Sequence, residues 1–275
     1  MRKLFTFCYM AIFALGIAQT HRFIYEYKFL PSPESKEHKT VNMALDVNPT
    51  DVKFYNYINI VNDSLNKMGN RNYSWNGTPA LKRKKNSSEN LNYEMMKDYF
   101  SYKTQDPIQW TLGNETKKSG EYTLQKATTN FGGRDWTAWF CKEVQISEGP
   151  YKFRGLPGLI FEVEDSQGSF SFKLLKSQKL DKTYETVDFL ETFAQKKPVE
   201  VNLATLHKMM LEFYDDPMRE IRDKFDEMPV GTFQVGGQKV TSKDQLKDMA
   251  KVVQEHIRKN YNPIDLTKSV NYPVN

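Results

Sequence analysis

The fold is decided by Arg134-Asp-Trp-Thr-Ala-Trp-Phe-Cys-Lys-Glu-Val-Gln-Ile-Ser-Glu-Gly-Pro-Tyr-Lys-Phe-Arg-Gly-Leu-Pro-Gly-Leu-Ile-Phe-Glu-Val163. In the first part of this stretch Trp136, Ala138 and Phe140 occupy alternate positions, which is the period of two expected of a strand. From Leu159 to Val163 the chain is again rich in residues that favour strands. Glycines and prolines lie between these two parts. The stretch therefore predicts two strands joined by a rigid corner.

Five residues in this corner have backbone preferences that suit turns. Pro157 fixes φ near the value needed at the second position of a type II turn, and Gly158 can take the positive φ of the third position. A second bend is predicted at Gly149-Pro150. The predicted structural turn residues are Gly149, Pro150, Gly155, Pro157 and Gly158.

Aromatic and cationic side chains accompany the corner. Large rings offer contact area at a small cost in conformational entropy, so they could line a groove for a peptide, a glycan or a lipid. The candidate binding residues are Arg134, Trp136, Trp139, Tyr151 and Lys152. The alternative is that the rings belong to the core. Alternation places Trp136 and Trp139 on opposite faces of the strand, so at most one of them should line a groove.

The corner also carries a family resemblance. Gly155-Leu156-Pro157-Gly158-Leu159-Ile160 is similar to the motif for which the GLPGLI family of bacterial envelope proteins is named. Its flanks resemble that family in the same order, with Ala138-Trp139-Phe140, Ile146-Ser147 and Gly149-Pro150-Tyr151-Lys152-Phe153. Cys141 departs from the pattern, in which threonine is commoner. The resemblance implies an exported, β-rich protein of a Gram-negative cell envelope, with unsettled function and no catalytic residue to carry over.

The beginning of the chain has the pattern of a secretory signal peptide. Arg2 and Lys3 precede an uncharged apolar run from Leu4 to Ala18, with small residues near its end. The alternative, a membrane anchor, would need about 20 apolar residues. We predict a signal peptide at residues 1–18, cleavage near Ala18/Gln19, and export to the periplasm or the medium. No second such run follows, so the mature chain should have no transmembrane segment.

The remaining residues, 19–275, are predicted to form a single β-rich domain whose C-terminal part, about 202–260, is helical. Alternating apolar residues from Phe23 to Phe29 and from Val41 to Val47 predict an antiparallel meander. Residues 69–92, which include the basic run Lys82-Arg83-Lys84-Lys85, are predicted as a long loop with a solvated or anion-binding tetrad. A hairpin with a long tip at 113–120 is predicted next.

The last third has helix signals. Asn202 can cap one helix, and Ser242 with Gln245 forms a capping box for another. The apolar stripe of the latter, which includes Leu246 and Met249, is expected to dock on the sheet. The predicted fold is therefore β-rich (α+β): a curved antiparallel sheet or open half-barrel with C-terminal helices packed on it.

Recognisable catalytic chemistry is absent from the sequence. It has no nucleophile elbow, zinc-protease helix, phosphate-binding loop or dinucleotide fingerprint. His21, His38, His207 and His256 lack the spacing of ligands, so no metal and no cofactor is predicted. Glu162 and Glu164 share one side of a predicted strand, which suits a solvent face better than acid–base work. After cleavage Cys141 is the one remaining cysteine, so no internal disulfide can form.

The formal charge of +5 is too small to indicate nucleic acid as a partner. These observations favour a non-enzymatic envelope binding module for a hydrophobic or peptide ligand or for an outer-membrane partner. The alternatives are a periplasmic hydrolase with an unrecognised site and a structural partner in an envelope assembly. An apolar cavity under the Gly155 to Ile160 corner would favour binding, whereas a buried carboxylate pair or a histidine in that cavity would favour catalysis.

Overall fold

The computed structural model describes residues 19–75, 77–227 and 232–273, so the predicted signal peptide, 1–18, lies outside the described residues. One large sheet dominates the fold. Its strands are β1 (Thr20–Phe29), β2 (Lys39–Val47), β3 (Asp51–Asn56), β4 (Ala80–Lys84), β5 (Glu89–Met95), β6 (Tyr99–Gln105), β7 (Thr111–Ser119), β8 (Tyr122–Phe131), β9 (Arg134–Cys141), β10 (Leu159–Asp165), β11 (Phe170–Leu180) and β12 (Val199–Glu200). The helices are α1 (Ile58–Lys67), α2 (Leu203–Asp215), α3 (Arg219–Lys224) and α4 (Lys243–Lys259). A small hairpin of β13 (Gln234–Val235) and β14 (Gln238–Lys239) lies between α3 and α4.

The sheet is open, with strand order β12-β6-β5-β4-β3-β2-β1-β11-β10-β9-β8-β7. Its two antiparallel meanders, β1 to β6 and β7 to β11, meet where β1 pairs with β11. The short β12 is the exception, because it runs parallel to β6. The predicted β-rich α+β class, with a mostly antiparallel sheet and C-terminal helices, is confirmed.

The predicted corner joins β9 to β10, which pair antiparallel as expected. The β9–β10 connection (residues 142–158) crosses the inner face of the sheet. There Glu148 forms a buried ion pair with Arg83 of β4, and the hydroxyl of Tyr25 on β1 donates to the Ile160 carbonyl over 2.7 Å. Because strands distant in the sheet order both reach this corner, the sheet must curve around it.

Phe153 of the connection lies at the centre of the core. Its ring is fully buried and lies 4.6 Å from Trp136 and 6.3 Å from Phe172, measured between ring centroids. Burying one such ring contributes about 1.5–3 kcal/mol relative to leaving it exposed. The connection is therefore part of the core and is not a surface loop.

The turn at Pro157 has a different geometry from the one predicted. Gly158 N–H donates to the Leu156 carbonyl over 2.8 Å, an i→i+2 bond typical of a γ-turn, while Leu159 N–H is engaged by the Val144 carbonyl. The type II turn is thus wrong, because its closing donor is used elsewhere. The positive φ predicted for Gly158 is confirmed at +153°.

The predicted loop at 69–92 is wrong from Ala80 onward, because β4 and the start of β5 lie there. In β4 the side chain of Arg83 points inward and is buried, while Lys82 and Lys84 alternate with it on the other side. Its partner Glu148 lies 65 residues further along the chain. Composition alone could not show that a cation in a basic run has such a partner.

The predicted tip at 113–120 is strand instead. β7 runs as far as Ser119, and the turn to β8 contains only Gly120 and Glu121. The polar residues of 113–120 fit a strand because β7 is an edge strand that is mostly exposed.

The predicted helix caps are confirmed. Asn202 accepts from Thr205 N–H at the start of α2, and Ser242 and Gln245 form the capping box of α4. The docking predicted for the apolar stripe of α4 is wrong. Leu246 and Met249 join a separate small cluster with Met218, because α3 and the β13–β14 hairpin cover this stripe. Within the described ranges, no helix combines the length and the apolar character needed to cross a membrane.

Candidate functional site

A cavity of about 580 Å³ lies between the sheet, α2, α4 and the C-terminal segment (residues 260–273). This volume is within the range of ligand pockets, ~300–1,000 Å³. Its wall combines aromatic rings with a few polar groups. Its lining residues include Tyr27, Lys39, Asn92, Tyr93, Glu94, Tyr102, Tyr151, Lys152, His207, Met210, His256, Tyr261, Asp265, Lys268 and Tyr272.

A polar ladder on β5 and β6 forms part of the inner wall. Asn92 of β5 pairs with Tyr102 of β6, and Glu94 follows Asn92 on the same face because side chains alternate along a strand. The Asn92 amide donates to the hydroxyl of Thr104 over 2.9 Å. Glu94 therefore lies next to Asn92 at the end of a polar row on β5, and the Asn92 amide is already engaged by Thr104.

The cations near this wall are neutralised by acids. The carboxylate of Asp106, just beyond β6, lies 3.1 Å from the Lys152 ammonium and 2.5 Å from that of Lys268. Lys268 also lies 3.3 Å from Asp265. Burial alone would raise the pKa of Asp106, but the two ammonium groups and nearby hydrogen bonds outweigh burial and lower it. This cluster ties the β9–β10 connection to the C-terminal segment.

Glu94 has no such partner. No described side chain forms an ion pair or a hydrogen bond with its carboxyl group. The group faces the cavity and is partly accessible there, yet it lies deep in the molecule, and burial raises its pKa to about 7 against a weaker opposing effect of the Met95 backbone. Burial raises the pKa of Tyr102 and Tyr151 as well, and the charge of Glu94 adds to both shifts. Glu94 is thus an acid close to several phenols.

Five of the six tyrosines that line the cavity have a hydroxyl group without a hydrogen-bond partner within the described part of the chain. They are Tyr27, Tyr93, Tyr102, Tyr151 and Tyr272, whereas Tyr261 accepts from Val270 N–H. None of the five hydroxyl oxygens is fully enclosed by protein atoms. These hydroxyl groups and Glu94 therefore represent unused hydrogen-bonding capacity around one space.

Tyr151 is held in an unusual backbone conformation. Its φ is +55°, the left-handed region that residues with a Cβ seldom adopt. Arg83 donates to the Tyr151 carbonyl over 3.0 Å, and Phe153 N–H closes the turn on the Pro150 carbonyl. Such strain persists where surrounding contacts fix the backbone, and it is concentrated at functional sites. The turn directs Tyr151 and Lys152 at the cavity.

The predicted binding residues lie in three different places. Tyr151 and Lys152 line the cavity. Trp136 is buried in the core, where its indole N–H donates to the Phe131 carbonyl over 3.0 Å. Trp139 lies on the opposite face of β9, with the Lys117 ammonium 4.5 Å from its ring centre. The predicted separation of the two tryptophans is confirmed.

Arg134 does not line the cavity but holds one of its walls in place. Its guanidinium pairs with Asp165 at 3.2 Å and donates to Asn262 and to the Pro263 carbonyl over 3.1 Å each. These contacts hold the C-terminal segment that forms one wall. The Gly155 to Ile160 corner does not line this cavity, since Leu156 and Ile160 are packed in the core.

Sequence reasoning missed four residues of the cavity wall, namely Glu94, Tyr102, Tyr261 and Tyr272. The one available signal was Asn90-Leu-Asn-Tyr-Glu94, whose alternation of polar and apolar residues is typical of a strand with a polar face. His207 and His256 lie on the wall contributed by α2 and α4. Over the described residues, no three His, Cys, Asp or Glu side chains come together as a metal-ligand set.

Comparison with known proteins adds a family match and a fold. Residues 132–162 match a family model described as a protein of unknown function (Porph_ging). This is the GLPGLI family. The match covers the β8–β9 turn, β9, the connection and the start of β10. No curated protein matches the sequence.

Two solved structures of PNGF-II resemble the fold. The structure in space group C2 has a TM-score of 0.50 at 14% identity, and the one in P2₁ has 0.48 at 15%. Each match covers 70% of this chain and 33% of the PNGF-II chain, so the matched part is about a third of PNGF-II. At this identity the resemblance concerns the fold alone.

Proposed function

We propose that this chain is an exported GLPGLI-family protein of the cell envelope that binds a small ligand, without catalysis, in the cavity described above. The observation that carries the proposal is the unused hydrogen-bonding capacity of Glu94 and of five tyrosine hydroxyl groups around a space of about 580 Å³. Ligand sites of this kind combine apolar and aromatic walls with a few polar groups that fix orientation. The ligand is a hydrophobic or peptide-like molecule with a polar end.

The family match and the start of the chain support the location. Residues 132–162 match the family whose motif the sequence resembles, and that resemblance implies an envelope location. Residues 1–18 have the charge and length of a secretory signal. An outer-membrane protein as a partner remains compatible with this location. The cavity itself suits a small ligand better than a protein surface.

One observation favours a second candidate, a hydrolase. A carboxyl group whose pKa is about 7 can both accept and donate a proton at neutral pH, as a general acid–base requires. However, no nucleophile, histidine or second carboxylate forms a hydrogen bond with Glu94 in the part of the chain that the structure describes. Catalysis would require such a group next to Glu94, whereas binding does not. Binding therefore accounts better for the side chains that surround Glu94.

Native mass spectrometry of protein purified from its own envelope tests this proposal. We expect a non-covalent small molecule that remains bound to the folded chain and dissociates on denaturation. Met210→Trp should remove the adduct, because Met210 lines the cavity from α2 and a larger ring would occupy part of the space.

Lys208→Trp is the matched control, since Lys208 lies on the same helix but its side chain is exposed. It should retain the adduct. Absence of any adduct in the wild-type protein, or equal retention by both variants, would contradict binding in this cavity. Turnover of the molecule on prolonged incubation, lost in Glu94→Gln, would favour the hydrolase.

A further inference from the structure

The ligand's chemistry can be inferred from the charges in the cavity, and this inference rests on the proposed binding function. We infer that the ligand carries a primary ammonium group, which Glu94 receives, attached to an aromatic or apolar body. A short peptide with a free amino terminus and a simple aromatic amine share this chemistry.

The first step is the balance of charge. Two carboxylates line the cavity, and one of them, Asp265, already lies 3.3 Å from Lys268. Lys152 and Lys268 are both engaged by Asp106. Glu94 is therefore the one cavity acid left without a cationic partner among the described residues. The exposed Lys39 of β2 also lines the cavity and has no acid partner within the described residues. At Glu94 itself a ligand cation would supply the missing partner, whereas a ligand carboxylate would meet repulsion.

The second step is the aromatic surround. Tyr102, Tyr151, Tyr261 and Tyr272 all lie close enough to Glu94 for its charge to affect them. Tyr261 and Tyr272 pack edge to face, with centroids 5.0 Å apart. Ring faces attract ammonium groups, and an ammonium has three hydrogens to donate to phenol and carboxylate oxygens. Rings next to an acid thus suit an organic ammonium.

The remaining step concerns protons. Titratable and charged groups come from every element around the cavity that holds Glu94. They are Tyr27 from β1, Lys39 from β2, Tyr93 from β5, Tyr102 and Asp106 from the β6 side, Tyr151 and Lys152 from the connection, His207 from α2, His256 from α4, and Tyr261, Asp265, Lys268 and Tyr272 from the C-terminal segment. A bound cation favours the carboxylate form of Glu94. Affinity should therefore rise with pH through about 7 and then level off, with a proton released on binding below that point.

Calorimetry on the mature protein, with 2-phenylethylammonium and 2-phenylethanol as probes, tests the inference. The two probes share a ring and a two-carbon chain but differ in charge. We expect wild-type protein to bind the ammonium at least about tenfold more tightly than the alcohol at a pH above 7. Repeating the titration below pH 7 in two buffers of different ionisation enthalpy should detect the released proton.

Glu94→Gln should remove both the preference and the proton release while still binding the alcohol. Glu89→Gln, on the exposed start of the same strand, should behave as wild type. Phenylalanyl-phenylalaninamide has a free amino terminus, and its N-acetyl derivative does not. Comparing these two peptides with 2-phenylethylammonium distinguishes a peptide amino terminus from a simple amine as the source of the ligand's ammonium group.

Equal binding of both probes by wild type, or a preference unchanged in Glu94→Gln, would overturn the inference and leave the binding function standing. Failure of both probes to bind would also overturn it. The proposed binding function is tested separately, by native mass spectrometry of the molecule that stays bound to protein purified from its own envelope.

Discussion

Gly158 lets β10 approach the end of β9 because it has no Cβ. A Cβ at this position would lie 2.1 Å from the Cys141 carbonyl oxygen, which is backbone and cannot move aside. Gly158→Ala should therefore destabilise the protein by a few kcal/mol, on the order expected for a clash in a packed core combined with backbone strain. Denaturant unfolding measures this loss.

Gly155→Ala provides the matched control. Gly155 lies in the same connection and also has a positive φ, +96°, but no atom lies within 4 Å of its Cβ position. It should show backbone strain without the clash. Equal losses in the two variants would contradict the close approach at Gly158.

Glu94 should weaken the fold at neutral pH. Its pKa is raised from 4.5 to about 7 in the folded chain by burial. Between these values the folded state binds more protons than the unfolded state, so this group's contribution to stability is greatest at low pH and falls as pH rises to about 7. Glu94→Gln should be more stable than wild type above pH 7, and the difference should shrink towards pH 4.5.

Urea unfolding across this pH range measures the effect, and Glu89→Gln serves as the comparison because Glu89 is exposed on the same strand. A Glu94→Gln curve parallel to that of wild type would mean that Glu94 titrates as an ordinary exposed acid. The description of Glu94 as a buried carboxyl group without a partner would then be wrong.

Arg83 and Glu148 form a buried pair whose members depend on each other. Removing one partner of such a pair leaves an uncompensated charge and costs about 3–5 kcal/mol. Arg83→Met should show a loss towards the lower end of this range in chemical denaturation, because Arg154 still lies 3.4 Å from Glu148. Adding Glu148→Gln should recover part of the loss. Lys84→Met, at an exposed position of the same basic run, should change stability little. A loss shared by Lys84→Met would contradict the inward orientation of Arg83.

Strands with an apolar inner face could be predicted from the sequence, and strands with polar faces could not. In β1 and β2 apolar residues alternate cleanly, and both strands were predicted close to their observed bounds. In β4 and β5 the inner face carries Arg83, Asn90 and Asn92, which find partners only in the folded chain. A polar side chain buried against a distant partner has the same local pattern as a loop.

The C-terminal segment depends on the tight β8–β9 turn. Leu266 N–H donates to the Gly132 carbonyl over 2.7 Å, and a Cβ on Gly132 would lie 2.9 Å from the Asp265 Cα. Gly132→Ala should push this segment away and speed hydrogen exchange of the Leu266 amide. Gly168→Ala is the control, since its φ is similarly positive at +68° and its Cβ position is open. Unchanged exchange in Gly132→Ala would contradict the docking.

The whole cavity could not be predicted from any one stretch, although two of its residues were. Tyr151 and Lys152 were found because they belong to the signature that dominates the sequence. Glu94 and Tyr261 lie far from that signature in the chain and meet it only when the curved sheet and the C-terminal segment close around the same space. Arg134 and Trp136 were predicted to contact ligand, but their contacts are with the segment and the core.

A single shape connects these observations. The sheet curves around the β9–β10 connection, ion pairs fix that connection to β4 and to the C-terminal segment, and the space that remains is lined by rings and one free acid. We therefore regard ligand retention as the property that this architecture serves.

A crystal structure of the mature protein, purified from its own envelope without a denaturing step, is the decisive observation. We predict density for a small organic molecule inside the cavity, against Tyr102 and Tyr151, with its polar end at the Glu94 carboxyl group. A cavity that holds only solvent, or that is closed by the protein's own side chains, would contradict the proposed function.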